Sequence, residues 1–304
     1  MQILMTGGTG LVGRALIPEL RARGDEVVVV TRSASQAALT LADDVELIEA
    51  DPAVTGPWLD RALTCDAIIN LAGESVGEGL WTRSKKRRIR RSRLRPTSHL
   101  ADILRDRDAP CVLLNASATG YYGDGGSAAL AEDAEPGQDY LAMLCYEWER
   151  NAMRAESRRC RVVCLRFGVI LAPEGGALAK MLPLFRRGLG GPLGNGRQYF
   201  PWIHLHDAVR AILFTLDTPA IRAAVNLTTS DPPSQAEFAR ALGVAVGKSA
   251  RLPAPAWALH TLLGEKAGLV LKGQRAVPNR LKAHGFRWQF AELERALADV
   301  VGPV

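Results

Sequence analysis

The sequence predicts an α/β fold: a Rossmann-type, doubly wound parallel sheet, followed by a smaller, mixed and helical C-terminal substrate region. Three observations carry this expectation. A glycine loop, TGGTGLVG at 6–13, sits between a short apolar run and a helical pattern. Apolar runs such as VVVV at 27–30 and CVLLNAS at 111–117 lack the polar alternation of a half-solvated strand, as strands buried on both faces do. Helical segments separate these runs, and a βαβα order implies a parallel sheet with helices on both faces.

Taken in order, Gln2–Met5 is the first strand. Gly13–Arg23 follows a helical pattern and stops at Gly24, a residue suited to the left-handed turn that ends a helix. VVVV (27–30), VELIEA (45–50) and CDAIINLAG (65–73) supply the next three strands. A long helix is expected from about Thr82 to Asp106, then the strand CVLLNAS. Residues 139–157 read as a helix and RVVCLRFGVIL (161–171) as one strand. Beyond Ala172, glycine and proline thicken through GLGGPLGNGRQYFPW (188–202). DAVRAILFTLD (207–217) reads as a helix and VNLT (225–228) as a short strand. Ser234 and Glu237 form a capping box that opens another helix. The expected division is a nucleotide-binding domain over 1–170 and a substrate region over 171–304, with a small helical tail from about 251.

Composition narrows the function classes. The 304 residues are 47% hydrophobic and 23% charged, ordinary for a globular chain. No stretch approaches the roughly 20 apolar residues of a membrane span. The opening MQILMTGGTG lacks a basic-then-apolar leader. The five cysteines are scattered, with no C-x-x-C pair, as in reduced cytosolic proteins. A cytoplasmic protein without membrane contact is expected. The net charge of +6 has one source: residues 85–95, KKRRIRRSRLR, hold eight Lys or Arg, and the remaining 30 basic residues face 32 acidic ones. No aromatic residue interleaves that run to stack bases, which argues against nucleic acid as a partner. Ile89 and Leu94 lie near one helical face, with Trp81 just upstream. The run reads as a packed helix whose cationic outer face attracts an anionic cofactor or substrate.

The glycine loop has the chemistry of a pyrophosphate site. Gly7, Gly10 and Gly13 are spaced three apart, and Gly8, Gly10 and Gly13 also satisfy G-x-G-x-x-G. A tight turn after a strand favours glycine. Bare backbone N–H groups at a helix N-terminus meet the phosphates, and Gly13 lets that helix approach the sheet. Gly7, Thr9, Gly10, Leu11, Val12 and Gly13 are therefore the first cofactor-binding candidates. The second strand ends VVVVTRS, with Thr31 and Arg32 where an NAD site usually has a carboxylate for the ribose 2′-hydroxyl. A guanidinium suits a 2′-phosphate, so NADP(H) is favoured over NAD(H). Asp51, ending the third strand, is placed to meet the adenine. Asn70, Leu71, Ala72 and Gly73, with Glu74 behind them, are placed to line the pyrophosphate and ribose, and Ala116 and Ser117 end the fifth strand.

TGGTGLVG, NLAG and NASATGYYG together resemble the extended short-chain dehydrogenase/reductase superfamily, which includes sugar-nucleotide epimerases and dehydratases. AGES (72–75), the run from Trp81 to Arg93 and W-E at 148–149 are similar to an epimerase-like branch with its own C-terminal domain. GGPLGNGRQYFPWIHLHD (190–207), GEKAGLVLKGQRAVPNRL (264–281) and HGF (284–286) extend that resemblance over nearly the whole chain. It implies the fold, a nucleotide cofactor and a substrate cleft between two domains, but assigns no substrate. The expected partner is a small molecule, of which carbonyl and nucleotide-sugar compounds are the candidates. Superfamily members often form homodimers through two helices.

The resemblance also implies a proton-transfer set: a tyrosine, a lysine one helical turn later, and a serine or threonine on the preceding strand. Free tyrosine titrates at about 10 and needs a neighbouring cation to act as a base at neutral pH. Ser117 supplies the serine, with Thr119 close behind. The pair itself is missing. Four residues beyond Tyr121, Tyr122, Tyr140, Tyr146 and Tyr199 stand Gly125, Gly126, Leu144, Arg150 and Ile203, and no lysine lies between Lys86 and Lys180. The W-E register puts Leu141 at the tyrosine position and Cys145 at the lysine position. Tyr121 and Tyr122, on the loop after Ser117, and Glu74 or Glu78 are the candidates to move the proton. Tyr146 with Arg150 has the one-turn spacing but lies too far along, and Cys145 reads as a small core residue.

Two functions follow. One is an NADP(H)-dependent oxidoreductase or sugar-nucleotide epimerase in which Ser117 orients the substrate and an unusual group moves the proton. The other is a non-catalytic NADP(H)-binding redox sensor or regulatory protein. Arg166 and Arg197 are candidates to meet an anionic substrate. His204 is a candidate to line the substrate site. His204 and His206, two apart on a strand, would point the same way, but no third ligand is evident and no metal is expected.

Overall fold

The apolar runs of the first half pair in parallel, one against the next. The structure, a computed structural model, describes residues 1–302. Its first half is β1 (Gln2–Thr6), α1 (Leu11–Ala22), β2 (Glu26–Thr31), α2 (Ala34–Ala38), β3 (Glu46–Glu49), α3 (Trp58–Thr64) and β4 (Ala67–Asn70). Then come α4 (Arg83–Leu104), β5 (Cys111–Ala118), β6 (Ala129–Leu130), α5 (Tyr140–Met153), β7 (Cys160–Phe167) and β8 (Val169–Leu171). The remainder is α6 (Gly176–Arg186), β9 (Trp202–His204), α7 (Leu205–Asp217), β10 (Ala223–Leu227) and α8 (Gln235–Ala245). It closes with α9 (Ala256–Leu263), α10 (Gly268–Leu271), β11 (Arg275–Ala276), α11 (Asn279–Ala283) and α12 (Leu293–Val301).

Seven strands form one Rossmann-like sheet in the order β10-β7-β5-β4-β1-β2-β3, every pair parallel. Successive side chains point to opposite faces. Ile3, Met5, Val27 and Val29 therefore pack beneath α1 and α7, while Leu4, Val30 and Ile68 pack beneath α3, α4 and α5. Both faces are covered, which is why the strands show no polar alternation. Burying Ile3, Leu4 and Met5 contributes roughly 1.5–3 kcal/mol each. The order of strands reverses between β1 and β4. A crevice opens at such a switch point, outside the C-terminal ends of the strands.

The run 161–171, expected as one strand, is two. β7 ends at Phe167, and β8 leaves the large sheet to pair with β9. Gly168 donates to the Leu227 carbonyl at 3.0 Å, and Val169 to the Pro201 carbonyl at 2.7 Å, so partners change within one residue. A Cβ on Gly168 would stand 2.8 Å from the Pro201 oxygen, too close for any other residue. The helix expected over 139–157 ends at Met153.

A separate apolar cluster joins β8, β9, α6, α8 and α12 around Trp202, Phe238 and Leu297. The capping box closes α8: Ser234 Oγ accepts from Glu237 N–H at 3.3 Å, and Glu237 accepts from Ser234 N–H at 2.8 Å. β11 pairs with β6 and fastens the tail to the loop after β5. Among the described residues no helix is long and apolar enough to cross a membrane.

Candidate functional site

A cleft of 590 Å³ lies over the C-terminal ends of β1, β4 and β5. Its floor is the glycine loop and the first turn of α1: Gly7, Gly10, Leu11, Val12 and Gly13. Among the described residues no side chain caps that helix, and no acid stands in its first turn, so its first N–H groups stay open to an anion. Two glycines are needed here for distinct reasons. Gly7 has a φ of +71°, and a Cβ there would lie 2.7 Å from the Leu71 carbonyl carbon. A Cβ on Gly13 would lie 2.5 Å from the Gly8 oxygen and push α1 off the loop.

Leu71, Gly73, Ala116 and Ser117 also line the cleft. Thr9, Arg32, Asp51, Ala72 and Glu74 are not on its wall. Arg32 stands exposed just past β2 and has no ion pair among the described residues. Asp51 is exposed, and its Oδ1 accepts from Ala53 N–H at 3.0 Å. Asn70 does not line the site as expected. It is fully buried and held in a network behind the floor. Thr6 Oγ1 donates to Asn70 Oδ1 (2.6 Å), and Asn70 Nδ2 donates to Asn115 Oδ1 (2.6 Å) and Thr97 Oγ1 (2.8 Å). Trp148 Nε1 donates to the same Thr97 hydroxyl at 2.8 Å. The Ala72 N–H donates to Thr6 Oγ1 at 3.2 Å. These bonds lock β1, β4, β5, α4 and α5 together beneath the cleft.

Leu141 and Cys145, which the W-E register aligned with the superfamily's tyrosine and lysine, line the cleft. Burial pushes the Cys145 thiol up to about 12, so it holds its proton at neutral pH. Beside it, Ser117 Oγ donates to Glu149 Oε1 at 2.6 Å. A carboxylate only accepts, so the serine proton is committed and Ser117 presents an acceptor to a ligand. Glu149 is in turn forked by Arg166, Nε to Oε1 and Nη2 to Oε2, both at 2.8 Å.

This network corrects three expectations. Arg166 is buried, and its Nη1 donates to the Tyr122 hydroxyl (2.8 Å) and the Glu132 carbonyl (3.0 Å). Every nitrogen is engaged, so it does not meet a substrate. The Tyr122 hydroxyl lies 2.8 Å from Asn226 Oδ1, and burial, opposed by Arg166, pushes its phenol up to about 12. Tyr121 lies under the Arg166 guanidinium, 3.6 Å from ring centre to Cζ, and burial raises its phenol too. Neither tyrosine reaches the cleft wall. Ser117 and Arg166 sit opposite each other on β5 and β7, so the arginine side chain and the tyrosines fill the space behind the serine.

Glu74 is also reassigned. It pairs with Lys85 at 2.8 Å and Arg88 at 3.2 Å. Burial works to raise its carboxyl, but the two cations outweigh it and hold it below the usual range. An ionised, paired carboxylate off the wall is no proton donor. Glu78 is exposed, and Arg150 lies over the Tyr146 ring at 5.7 Å, outside the cleft. Arg197 is an exposed loop residue away from the wall. His204 is buried: Nδ1 accepts from His206 N–H at 3.1 Å, capping α7, and Nε2 faces Asp299 at 3.1 Å. His206 lies within α7, so the two rings do not form a strand pair. Among the described residues no three side chains are gathered to hold a metal.

The cleft has further walls that the sequence did not assign. Glu265, Gly268, Leu269, Lys272 and Gln274 come from the GEKAGLVLKGQ segment. Lys272 pairs with Asp139 at 3.0 Å, Glu265 with Lys86, and Lys266 reaches the Gly79 carbonyl at 3.0 Å, so the tail is tied across the opening. Tyr140 lines the cleft with its hydroxyl donating to the Lys86 carbonyl at 3.1 Å. Arg93, from the basic run, also enters the cleft. That run is less solvated than its composition suggests, because Lys85, Lys86, Arg88 and Arg90 all meet carboxylates. The signal for Arg93 was its place on the i, i+4 series Lys85, Ile89, Arg93, Thr97, Ala101, whose other members are all buried.

The description of the NAD dependent epimerase/dehydratase family matches residues 3–227, and that of a domain of unknown function (DUF1731) matches 254–300. An epimerase family protein of Mycobacterium bovis is 39% identical over 298 residues, 97% of this chain and 96% of its own. An epimerase family protein SDR39U1 homolog of Arabidopsis thaliana, described as chloroplastic, is 37% identical over 99% of this chain and 87% of its own. A crystal structure of human epimerase family protein SDR39U1 (isoform 2) with NADPH superposes with a TM-score of 0.86 at 32% identity, over 99% of each chain.

Proposed function

The chain belongs to the NAD dependent epimerase/dehydratase family, and on that premise we propose that it binds NADP(H) and moves hydride to or from a small carbonyl or carbinol substrate. The carrying observation is the uncapped N-terminus of α1, set in a glycine cradle on the cleft floor. The exposed Arg32 just past β2, without an ion pair among the described residues, adds the group that suits a 2′-phosphate. The human relative's structure with NADPH supports the same reading.

When bound, the dinucleotide supplies or accepts hydride at nicotinamide C4. The first N–H groups of α1 would hold its pyrophosphate, and Arg32 would hold the 2′-phosphate. Leu71, Leu141, Leu144 and Phe200 exclude water from the reacting face. Ser117 orients a carbinol by accepting from the substrate hydroxyl. As hydride leaves the carbinol carbon, the hydroxyl proton would pass to Ser117 Oγ while Ser117 gives its own proton to Glu149 Oε1, and carbonyl reduction would run the same relay in reverse. Leu141 and Cys145 carry no proton that titrates near neutrality, and this favours a second reading, a redox sensor that binds NADP(H) without turnover.

Fluorescence titration of wild type and Arg32→Ala with NADPH and NADH tests the cofactor. Arg32→Ala is expected to lose NADPH affinity by about tenfold to a hundredfold, with NADH unchanged. Mixing the NADPH-loaded protein with carbonyl compounds and nucleotide sugars, while following reduced-nicotinamide absorbance, then separates enzyme from sensor. Failure of wild type to bind either nucleotide would sink both readings.

A further inference from the structure

Four charged side chains line the cleft: Arg93, Asp139, Glu265 and Lys272. Three are answered within the chain, Lys272 by Asp139 and Glu265 by Lys86. Arg93 meets no carboxylate among the described residues. Its Nη1 donates to the Glu74 carbonyl at 2.9 Å and the Ile89 carbonyl at 3.2 Å. Nε and Nη2, with three of the five guanidinium N–H groups, have no partner among the described residues.

Arg161 shows how this chain satisfies an arginine of purely structural use. It is buried away from the cleft, and both Nη atoms bond backbone carbonyls: Ile221 at 2.9 Å and Thr215 at 3.1 Å from Nη1, Leu216 at 2.7 Å from Nη2. Arg93 is held by one nitrogen only. That hold fixes the guanidinium against Gly73, with the Trp148 ring 5.2 Å from Cζ. Burial lowers its pKa, as expected for a cation without a counter-charge. The unengaged Nε/Nη2 edge carries two parallel N–H groups, the geometry that matches two oxygens of a carboxylate or phosphoryl group.

Resting on the reading of the cleft given above, we infer that Arg93 is an oxyanion-recognising residue whose Nε/Nη2 edge takes two oxygens of a carboxylate or phosphoryl group on the bound ligand. Two sources carry that chemistry: the pyrophosphate of the dinucleotide, or a separate anionic substrate. Either ligand group would supply the counter-charge that Arg93 lacks.

The test compares wild type, Arg93→Met and Arg93→Lys as full chains. Melting temperatures first establish that each folds. Should Arg93→Met not fold, Arg93→Lys, which keeps the charge but loses the fork, carries the comparison. NADPH is titrated by fluorescence, and malonate and inorganic phosphate by calorimetry, with and without saturating NADPH. Loss of NADPH affinity by at least about tenfold in Arg93→Met supports the pyrophosphate as the source. Retained NADPH affinity with at least about tenfold weaker malonate or phosphate binding supports a separate anionic substrate. In either case Arg93→Lys should recover only part of the loss. Binding of NADPH, malonate and phosphate to Arg93→Met as to wild type overturns the assignment. If wild type binds no dinucleotide, the proposed function fails, while malonate and phosphate binding to the free protein still decides Arg93. If wild type binds none of the three, the Arg93 assignment fails as well.

Discussion

Two arginines stand against α5, on either side of Ser117, and the chain treats them in opposite ways. Arg166 forks Glu149 and donates to Tyr122 and Glu132, with all three nitrogens engaged. Arg93 stacks over Trp148, the residue beside Glu149, and engages one nitrogen with two neutral carbonyls. Both are largely removed from water and both carry the same charge. What separates them is the partner. A buried arginine whose hydrogen-bonding capacity is filled by its own chain is a strut, and one left partly open in a cleft is shaped for something that arrives later. By that measure the wall behind Ser117 is complete, and the wall beside it is unfinished.

The largest expected effect tests the complete wall. Arg166→Met leaves the buried Glu149 carboxylate without its cation, a loss of about 3–5 kcal/mol by the general cost of breaking a buried pair. Arg93→Met removes donors from two carbonyls and should cost no more than about 1–2 kcal/mol. Denaturant unfolding of both variants reads the difference directly. Equal losses would erase the distinction between strut and ligand group.

A smaller effect, on the same wall, comes from pH. The Tyr122 phenol is raised from 10.0 to about 12, chiefly by burial and against the pull of Arg166. The folded chain therefore keeps this proton at pH values where the unfolded chain has released it. The stabilising difference is fully present below pH 10 and is lost as pH rises through 10 towards 12. Wild type should lose stability faster than Tyr122→Phe across that window. A gap between them that stays constant from neutral pH upward would mean that the phenol titrates in the fold as it does in water.

The two walls were unequally legible in the sequence. The sheet could be read because its strands are buried on both faces, and burial of that kind leaves continuous apolar runs such as VVVV at 27–30. The glycine loop could be read because the backbone approach at Gly7 and Gly13 excludes side chains. The lack of any lysine between Lys86 and Lys180 needed only a count, and the structure puts Leu141 and Cys145 on the cleft wall. The Arg166–Glu149 fork could not be read, because it joins β7 to α5 across 17 positions with no local pattern. That is why Tyr121 and Tyr122 looked like proton donors: adjacency to Ser117 in sequence says nothing about which side of the strand is already occupied. The break of 161–171 at Gly168 was hidden for a similar reason, since the change of partner depends on Pro201 and Leu227. Arg93 was disguised by seven neighbours of like charge. Its i, i+4 relation to Ile89 and Thr97 set it apart, but composition spoke louder than periodicity.

The finest test moves Arg93 without replacing it. Gly73 does not have a positive φ, so alanine is conformationally permitted there and, by reducing the freedom of the unfolded chain, can stabilise by about 0.4–1 kcal/mol. Its Cβ would stand 3.1 Å from Arg93 Cζ and 3.3 Å from Nη2, inside ordinary contact distance, so the guanidinium must shift by a few tenths of an ångström. Gly73→Ala is therefore expected to melt no lower than wild type yet to bind the ligand held by Arg93 about three- to tenfold more weakly, since a fork loses energy quickly with misalignment. Gly73 also lines the cleft, so the new methyl group could weaken binding by touching the ligand itself. A double-mutant cycle with Arg93→Met separates the two routes. If the methyl acts by displacing the guanidinium, it costs nothing further once the guanidinium is gone, and the two losses fail to add. Full additivity would place the clash on the ligand and leave Arg93 no part in the effect of Gly73→Ala.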